Sequence, residues 1–325
     1  MRVAGTEHKN WSIEMNLSHK IKDCIRWFVP YGIIAHRRTK LQATLDEQNF
    51  QFFRTIKNYF LSLSTNDPEL LEIINYFKTF NKFPYWYPYI FTRKYHTLDI
   101  DVFSDKGVKT GYVIHKNKRL YFPEKWDNES ICAYYNMMRM EQDKDSPHCY
   151  EADNFIPQEN DVIVDIGAAE GIWALDYAEK AGKIYLFECD REWIKALKKT
   201  FEPWKEKVVI VRKYVSNIDD EKNVTLDNYF KMEERDGINF IKADIEGMEI
   251  KLLEGSKAIL ANNKNLKLLI CSYHSKNDAV EITNILKKND FITENSKGYM
   301  IPYFDKSLEE PYIRRGIIRG RKIII

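Results

Sequence analysis

Residues 161–171 read DVIVDIGAAEG, an apolar run followed by a turn of small residues. The run is typical of a strand buried on both faces. Gly167 can adopt backbone dihedrals that other residues rarely reach, and Ala168, Ala169 and Gly171 are small enough to let a ligand approach the backbone. The pattern predicts a strand, a turn and a helix, with a cofactor pocket at the turn.

A second predicted strand, KIYLFE at 183–188, ends in a carboxylate. Glu188 follows Asp165 at close to the spacing of about 20 residues at which dinucleotide-binding folds place a ribose-binding acid. A carboxylate in that place can accept hydrogen bonds from both ribose hydroxyls of an adenosine. The pair therefore predicts an adenosine-containing cofactor.

The turn pattern itself separates two such cofactors. Nicotinamide dinucleotides usually require GxGxxG, which admits a pyrophosphate at the helix N-terminus. Here Asp165, Gly167 and Gly171 have a different spacing, and the carboxylate of Glu170 within the turn would repel a pyrophosphate. S-adenosylmethionine has no phosphate and carries a cationic sulfonium and ammonium, so the turn favours it. A glycine turn without any ligand remains an alternative.

Strand and helix patterns alternate through residues 151–325. Alternation of this kind predicts an α/β fold with a mostly parallel sheet and helices on both faces. The predicted strands are Val162–Val164, Ile184–Phe187, Val208–Val211, Phe240–Ala243 and Leu266–Cys271, with tail strands at Tyr299–Tyr303 and Ile313–Ile318. The predicted helices lie near 171–181, 191–200, 247–260 and 277–288.

The residues before 151 follow other patterns. Residues 1–94 form an aromatic-rich helical region, in which Asp67 and Pro68 mark the start of the second helix of a hairpin. Residues 95–150 contain a β-hairpin around Lys116-Asn117-Lys118 and are expected to form a cap that leads into the predicted cofactor-binding domain at 151–325.

Composition narrows the environment and the partners. The net charge of +2 gives no global field for nucleic acid, so no nucleic-acid partner is expected. Five scattered cysteines without a CxxC pair indicate a reducing compartment and no structural zinc, and the polar N-terminus resembles no signal peptide, so a cytoplasmic location is expected. Residues 20–40 contain an apolar stretch that is flanked by basic side chains. They could contact an anionic membrane peripherally or pack in a core or dimer, and the oligomeric state stays open.

Several motifs resemble the FkbM family of methyltransferases across roughly 110–320. The most specific is IKADIEGME at 241–249, followed by LEG at 253–255, and it accompanies the turn at 165–171 and the pair Phe187-Glu188. Weaker matches are LYFP at 120–123, EQ at 141–142 with SPHCY at 146–150, and SYHSKND at 272–278. The last two resemble a branch found in bacterial glycan gene clusters that acts on sugar hydroxyls.

The resemblance implies a Rossmann-like class I methyltransferase fold whose seven-stranded sheet ends in an antiparallel strand, Ile313–Ile318. It further implies that Glu141, His148 and Tyr150 roof the cofactor, although His148 also fits an ordinary loop residue. Cys189 departs from the family pattern, since many members carry proline after the acid. Ser216 and Asn217 follow the third strand, where adenine contacts are usual in methyltransferases; a plain turn is the alternative.

Four further groups are expected at the carboxyl ends of the strands, where ligands bind in such sheets. Asp244 closes the fourth strand and His274 follows the fifth, while Glu246 and Glu249 share a face at a helix start. The hypothesis is that His274 or Asp244 accepts the proton of the acceptor alcohol and that Glu246 and Glu249 orient the acceptor or the turn. A structural histidine and an ordinary helix-start carboxylate are the alternatives.

Two questions about function stay open in the sequence. Asp244, Glu246 and His274 could instead hold Mg²⁺, although their spacing is not diagnostic and no metal is the favoured interpretation. The favoured function is an O-methyltransferase that uses S-adenosylmethionine to methylate a sugar hydroxyl of a bacterial surface glycan or its precursor. The alternatives are a catalytically inactive module of the same fold that binds the cofactor or a glycan, and a nicotinamide oxidoreductase.

Overall fold

A computed structural model describes residues 40–81, 86–105, 110–231, 237–303, 305 and 307–322, with side chains from residue 49 onwards. The basic segment at 20–40 therefore lies outside the described residues, apart from the backbone of Lys40. No helix in the described part of the chain combines the length and apolar composition that crossing a bilayer requires.

The described chain begins with two helices that pack against each other, α1 at Lys40–Ser62 and α2 at Pro68–Thr79. The side chain of Asp67 accepts hydrogen bonds from the backbone N–H groups of Glu69 and Leu70, and Pro68 occupies the first turn of α2. The rings of Phe60 and Phe77 stack between the helices with centroids 5.5 Å apart. The predicted helical hairpin is thus confirmed.

Three short strands and one long helix follow. Strands β1 (Phe103–Ser104), β2 (Gly111–His115) and β3 (Lys118–Tyr121) form an antiparallel sheet, of which only β2 and β3 were predicted. The turn between β2 and β3 has positive φ at both Lys116 and Asn117, as two-residue hairpin loops require. Helix α3 (Asn128–Glu141) comes next, and its N-cap is Asp127.

The remaining elements are the seven strands of the main sheet, the separate β7–β8 pair and the helices between them. Along the chain they are β4 (Val162–Ile166), α4 (Ile172–Asp176), β5 (Lys183–Phe187), α5 (Arg191–Thr200), β6 (Val208–Val211), β7 (Tyr214–Val215), β8 (Asn223–Val224), α6 (Leu226–Tyr229), β9 (Ile238–Ala243), α7 (Glu249–Glu254), α8 (Lys257–Asn262), β10 (Lys267–Cys271), α9 (Asp278–Lys288), β11 (Phe291–Asn295) and β12 (Ile317–Lys322).

Seven of these strands form one sheet in the order β11-β12-β10-β9-β4-β5-β6. Strand β12 runs antiparallel to both neighbours, and the other six run parallel to one another. Alternate strand residues enter two separate apolar clusters, one with α1 to α5 and one with α6 to α9. The α/β fold with helices on both faces is therefore confirmed, and the last strand of the chain is antiparallel as expected.

Both predicted tail strands have wrong bounds. The predicted strand Tyr299–Tyr303 is reduced to an isolated bridge between Met300 and Arg314, and of Ile313–Ile318 only Ile317 and Ile318 belong to β12. The sequence analysis missed most of β12 because its arginines indicate exposed positions and not a buried strand. Arg319 is buried in the structure because its guanidinium donates to the carbonyls of Cys149, Tyr150 and Glu151.

Two predicted helices also differ. The helix expected at 171–181 ends at Asp176 and continues as turns. The helix expected at 247–260 is divided into α7 and α8 at Gly255. A Cβ atom on Gly255 would lie 2.1 Å from the carbonyl oxygen of Ser216, so this break lets two backbone segments approach closely.

Candidate active site

The glycine turn after β4 packs directly on the segment after β9. Gly167 has φ +72°, and a Cβ there would lie 2.0 Å from the carbonyl oxygen of Asp244. The backbone N–H groups of Gly167 and Ala168 donate to the carbonyl of Phe187 at 3.0 and 3.1 Å. Position 167 requires glycine because the backbone of the turn after β4 is in contact with the backbone of Asp244 after β9.

Glu188 is held against the same turn by backbone donors. Its Oε2 accepts from the N–H of Ala169 at 2.8 Å, and its Oε1 accepts from Cys189 at 2.7 Å and Asp190 at 2.8 Å. Burial raises the pKa of this carboxyl, although the three N–H groups oppose that effect. The carboxylate therefore has a fixed orientation at the end of β5, beside the predicted cofactor turn.

Asp165 forms a buried ion pair that the sequence analysis missed. Its Oδ1 lies 2.8 Å from Nζ of Lys242, and Nζ also donates to the carbonyl of Gly167 at 3.0 Å. Both side chains are almost wholly buried. Lys242 therefore balances the negative charge of Asp165 at this end of the turn.

A cavity opens beside the turn, beneath helix α3. Glu170 belongs to its wall, and the hydroxyl of Tyr134 in α3 donates to Oε2 of Glu170 at 2.7 Å. The other residues that line it are Met137, Met138, Glu141, Gln142, Tyr150, Asp165, Gly167, Ala168, Ala169, Ile172, Trp173, Lys242 and Asp244. The wall combines small and apolar side chains with five charged groups.

Asp244 lines this cavity and also contacts a cluster of tyrosine and histidine side chains. The hydroxyls of Tyr150 and Tyr273 donate to its carboxylate at 3.1 and 3.2 Å. Nε2 of His274 lies 3.5 Å from Oδ1, and Nε2 of His148 lies 3.8 Å from Oδ2. The structure thus brings the predicted residues Tyr150, His148, His274 and Asp244 together, with Tyr273 as an addition.

His274 is enclosed by acidic side chains. Its Nδ1 lies 3.0 Å from Oε1 of Glu249, which is buried and also accepts from the N–H of Ile245 at 2.9 Å. Glu246 is half-exposed at φ +57°, with its Oε2 3.9 Å from Nε2 of His274. Burial alone would lower the pKa of His274, but the neighbouring carboxylates outweigh burial and the pKa is raised. The ring is therefore a stronger base than a free imidazole.

The residues of the alternative metal site, Asp244, Glu246 and His274, do not form one group of ligand atoms in the described residues. Ligand atoms of Asp244, Glu249 and His274 lie within 4.8 Å of one another, as do those of His148, Asp244 and Cys271, whereas Glu246 belongs to neither group. Both groups include imidazole and one includes a thiol, while Mg²⁺ prefers oxygen ligands alone. The donor set does not fit Mg²⁺, and we derive no chemistry through it.

The predicted cofactor residues that do not line this cavity are Ser216, Asn217, Cys189, Gly171, Glu188 and His148. Asn217 donates from Nδ2 to Glu254 at 2.8 Å, and the N–H of Ser216 donates to Val224 at 3.0 Å. Their segment follows β6 and includes the small β7–β8 pair, and Asn217 contacts α7 through Glu254. Cys189 adjoins Glu188 and contributes its backbone N–H. The adenine contact at Ser216 and Asn217 stays a prediction.

Comparison with known families gives one match. Residues 212–293 match the model of the methyltransferase FkbM domain, a range that contains Asp244, Glu246, Glu249 and His274. The protein is an S-adenosylmethionine-dependent methyltransferase. The predicted enzyme class is thus confirmed. No curated protein sequence matches the chain.

Several solved structures are similar to part of this enzyme. A putative methyltransferase from Streptococcus mutans in complex with SAH has 14% identity and a TM-score of 0.36, over 51% of this chain and 90% of the other. Precorrin-6y C5,15-methyltransferase from Geobacter metallireducens has 12% identity and a TM-score of 0.35, over 51% and 82%. A putative transferase from Pyrococcus horikoshii has 10% identity and a TM-score of 0.39, over 67% and 74%.

Proposed function

We propose that the enzyme is an O-methyltransferase that methylates a sugar hydroxyl of a bacterial surface glycan or of its precursor. The observation that carries this proposal is the position of Asp244, which lines the cavity and lies 3.5 Å from a histidine of raised pKa. The sulfonium donor is already electrophilic, but an acceptor alcohol must lose its proton to a base. Asp244 and His274 together can provide that base. The resemblance of residues 141–150 and 272–278 to glycan-modifying enzymes supports a sugar as the acceptor.

The residues around the turn fit an S-adenosyl ligand. Gly167, Ala168 and Ala169 present backbone with little side-chain bulk, and Glu188 offers a fixed carboxylate for ribose hydroxyls. When bound, the cofactor supplies an electrophilic methyl group. The seven-stranded sheet with β12 antiparallel is the arrangement expected of a class I methyltransferase fold.

The chain's own contribution divides into positioning and proton transfer. Holding two reactants in line accounts for about 7–11 kcal/mol of a barrier. A general base adds about 10²–10⁴-fold. In our proposal Asp244 orients the acceptor hydroxyl, His274 accepts its proton, and Glu249 holds the imidazole through Nδ1. Positioning contributes more than the base, so a variant without the base should be slow and not inactive.

The proposal also includes a cytoplasmic location for the enzyme. The four cysteines in the described residues are all free, which suits a reducing cytoplasm. We also propose that the acceptor is a saccharide and not a nucleic acid, since the net charge of +2 offers no extended field for phosphates.

The test is a turnover assay with the full chain. Purified protein, S-adenosylmethionine and a panel of unmethylated glycans are incubated, and mass spectrometry measures the gain of CH₂ while a coupled assay measures release of S-adenosylhomocysteine. Asp244→Asn is the control for enzyme-dependent transfer. Methylation confined to protein or nucleic-acid acceptors would contradict the sugar. Binding of S-adenosylhomocysteine without any transfer would indicate the inactive module instead.

A further inference from the structure

The cavity beneath α3 has an uneven distribution of charge. Among its described lining residues Lys242 carries the only positive charge. The acidic lining residues are Glu141, Asp165, Glu170 and Asp244. A ligand that carries both charges could place its positive group near several carboxylates. Its negative group would have only Lys242 as a partner of opposite charge among the described lining residues.

An ion pair lies here where apolar side chains would be expected. Lys242 lies opposite Asp165 in the parallel pairing of β9 with β4, within a sheet whose other buried positions are mostly aliphatic. A buried ion pair that is replaced by apolar residues of similar volume often leaves stability unchanged or improves it. The pair at 165 and 242 is therefore better explained by what it offers to the cavity.

The amino-acid end of S-adenosylmethionine has this mixed character. Its ammonium and the nearby sulfonium are attracted by the acidic wall, but its carboxylate would be repelled by the same wall. Nζ of Lys242 lies at the turn, 3.0 Å from the carbonyl of Gly167, and 5.3 Å from the centre of the Tyr150 ring. The cation thus lies between the cofactor turn and a tyrosine that contacts Asp244.

We propose that Lys242 binds the carboxylate of the cofactor's amino-acid end and so fixes the direction in which the donor enters the cavity. The inference rests on the proposed use of this cavity for the methyl donor. It assigns Lys242 a role in recognition, in addition to its pairing with Asp165. A purely structural lysine would support every ligand of the cavity equally.

A ligand that lacks the carboxylate can distinguish recognition by Lys242 from structural support of the turn. Isothermal titration calorimetry of the wild-type enzyme and Lys242→Met measures affinity for S-adenosylhomocysteine and for its decarboxylated analogue, which keeps the ammonium and the adenosine. We expect Lys242→Met to weaken binding of S-adenosylhomocysteine by about 10- to 100-fold, the range for a hydrogen bond to a charged group. Affinity for the decarboxylated analogue should change by less than about threefold.

Three further variants complete the design. Lys242→Arg keeps the charge and should retain part of the discrimination between the two ligands. Lys267→Met removes a lysine from the adjacent strand β10, outside the cavity wall, and should change neither affinity. If Lys242→Met fails to fold because Asp165 is left unpaired, the double variant Asp165→Asn/Lys242→Met is compared with Asp165→Asn alone.

Two results would overturn the proposal. Equal weakening for both ligands would show that Lys242 only supports the turn, and unchanged affinity for both would show that it contacts neither. Failure of the wild-type enzyme to bind S-adenosylhomocysteine is a different result, because it would remove the proposed use of the cavity before Lys242 is considered.

Discussion

The Lys242 pair and the Asp244 cluster lie two residues apart at the end of β9, yet their charges are arranged differently. Asp165 and Lys242 form a one-to-one ion pair in which both side chains are buried. His274 instead faces three carboxylates, those of Asp244, Glu246 and Glu249. A balanced pair is suited to hold a ligand, whereas one imidazole among several carboxylates is suited to accept a proton. Binding and proton transfer should therefore be separable by mutation.

The largest expected effect is on turnover at the Asp244 cluster. His274→Gln should lower kcat by about 10²–10⁴-fold, the usual contribution of a general base. Asp244→Asn should also lower kcat, because the acceptor hydroxyl would lose the carboxylate that orients it. Affinity for S-adenosylhomocysteine should stay within a few-fold, because Glu188 and the turn are untouched. Release of S-adenosylhomocysteine measures the first quantity, and calorimetry measures the second.

The exposed His96 provides the matched control for this experiment, and His96→Gln should leave kcat unchanged. Near wild-type turnover in both Asp244→Asn and His274→Gln, with cofactor affinity intact, would remove these residues from the proposed chemistry.

A smaller effect, on stability, should distinguish the two glycines of these motifs. Gly167→Ala combines φ +72° with a Cβ only 2.0 Å from the Asp244 carbonyl, whereas Gly247→Ala combines φ +88° with a nearest neighbour at 3.7 Å. We expect losses of about 2–5 kcal/mol for Gly167→Ala, from strain plus overpacking, and about 1–2 kcal/mol for Gly247→Ala, from strain alone. Urea unfolding measures both.

Equal losses in the two glycine variants would mean that the turn after β4 can move away from Asp244. The backbone contact would then not couple the cofactor side to the Asp244 side.

Local signals predicted those parts of the fold that depend on local physics. The N-cap Asp67 with Pro68, the Lys116-Asn117 turn and the glycine turn at 167 each determine backbone geometry within a few residues. The alternation of strands and helices then fixed the sheet, because parallel strands need crossover helices. The cluster of Asp244 and His274 followed, since carboxyl ends of parallel strands share one edge.

Contacts between distant segments could not be predicted in the same way. Lys242 looks like an exposed strand residue until Asp165 is placed opposite it, although a lysine inside an otherwise apolar strand was a signal for a buried partner. Arg319 likewise finds its acceptors near residue 150. Tyr273 was overlooked because its hydroxyl reaches Asp244 only once β9 and β10 are adjacent.

On the cofactor side, Glu188→Gln should weaken binding of S-adenosylhomocysteine by about 10- to 100-fold. The amide NH₂ of glutamine would face a backbone N–H at Ala169 or at Cys189 and Asp190, all of which now donate to the carboxylate. Calorimetry measures the affinity, and Glu192→Gln on the neighbouring helix is the control. Retained affinity would remove Glu188 from the recognition of the ribose.

The smallest effect concerns pH and depends on the Asp244 side alone. Because the pKa of His274 is raised above its ordinary 6.5, the neutral ring that accepts a proton becomes abundant only as the pH rises. We therefore expect kcat/KM to increase with pH through a midpoint above 6.5. Glu249→Gln removes a charge that favours the imidazolium, and it should move the midpoint to lower pH.

The amide oxygen of the glutamine introduced by Glu249→Gln can still accept from the N–H of Ile245, so the turn after β9 should remain in place. Profiles of kcat/KM from about pH 5.5 to about pH 9 cover the range in which histidine titrates. The affinity for S-adenosylhomocysteine should not follow the same curve, since the Lys242 pair does not depend on His274. An unmoved midpoint in Glu249→Gln would assign the pH dependence to another group. A binding curve that shifted together with turnover would show that the two clusters act as one.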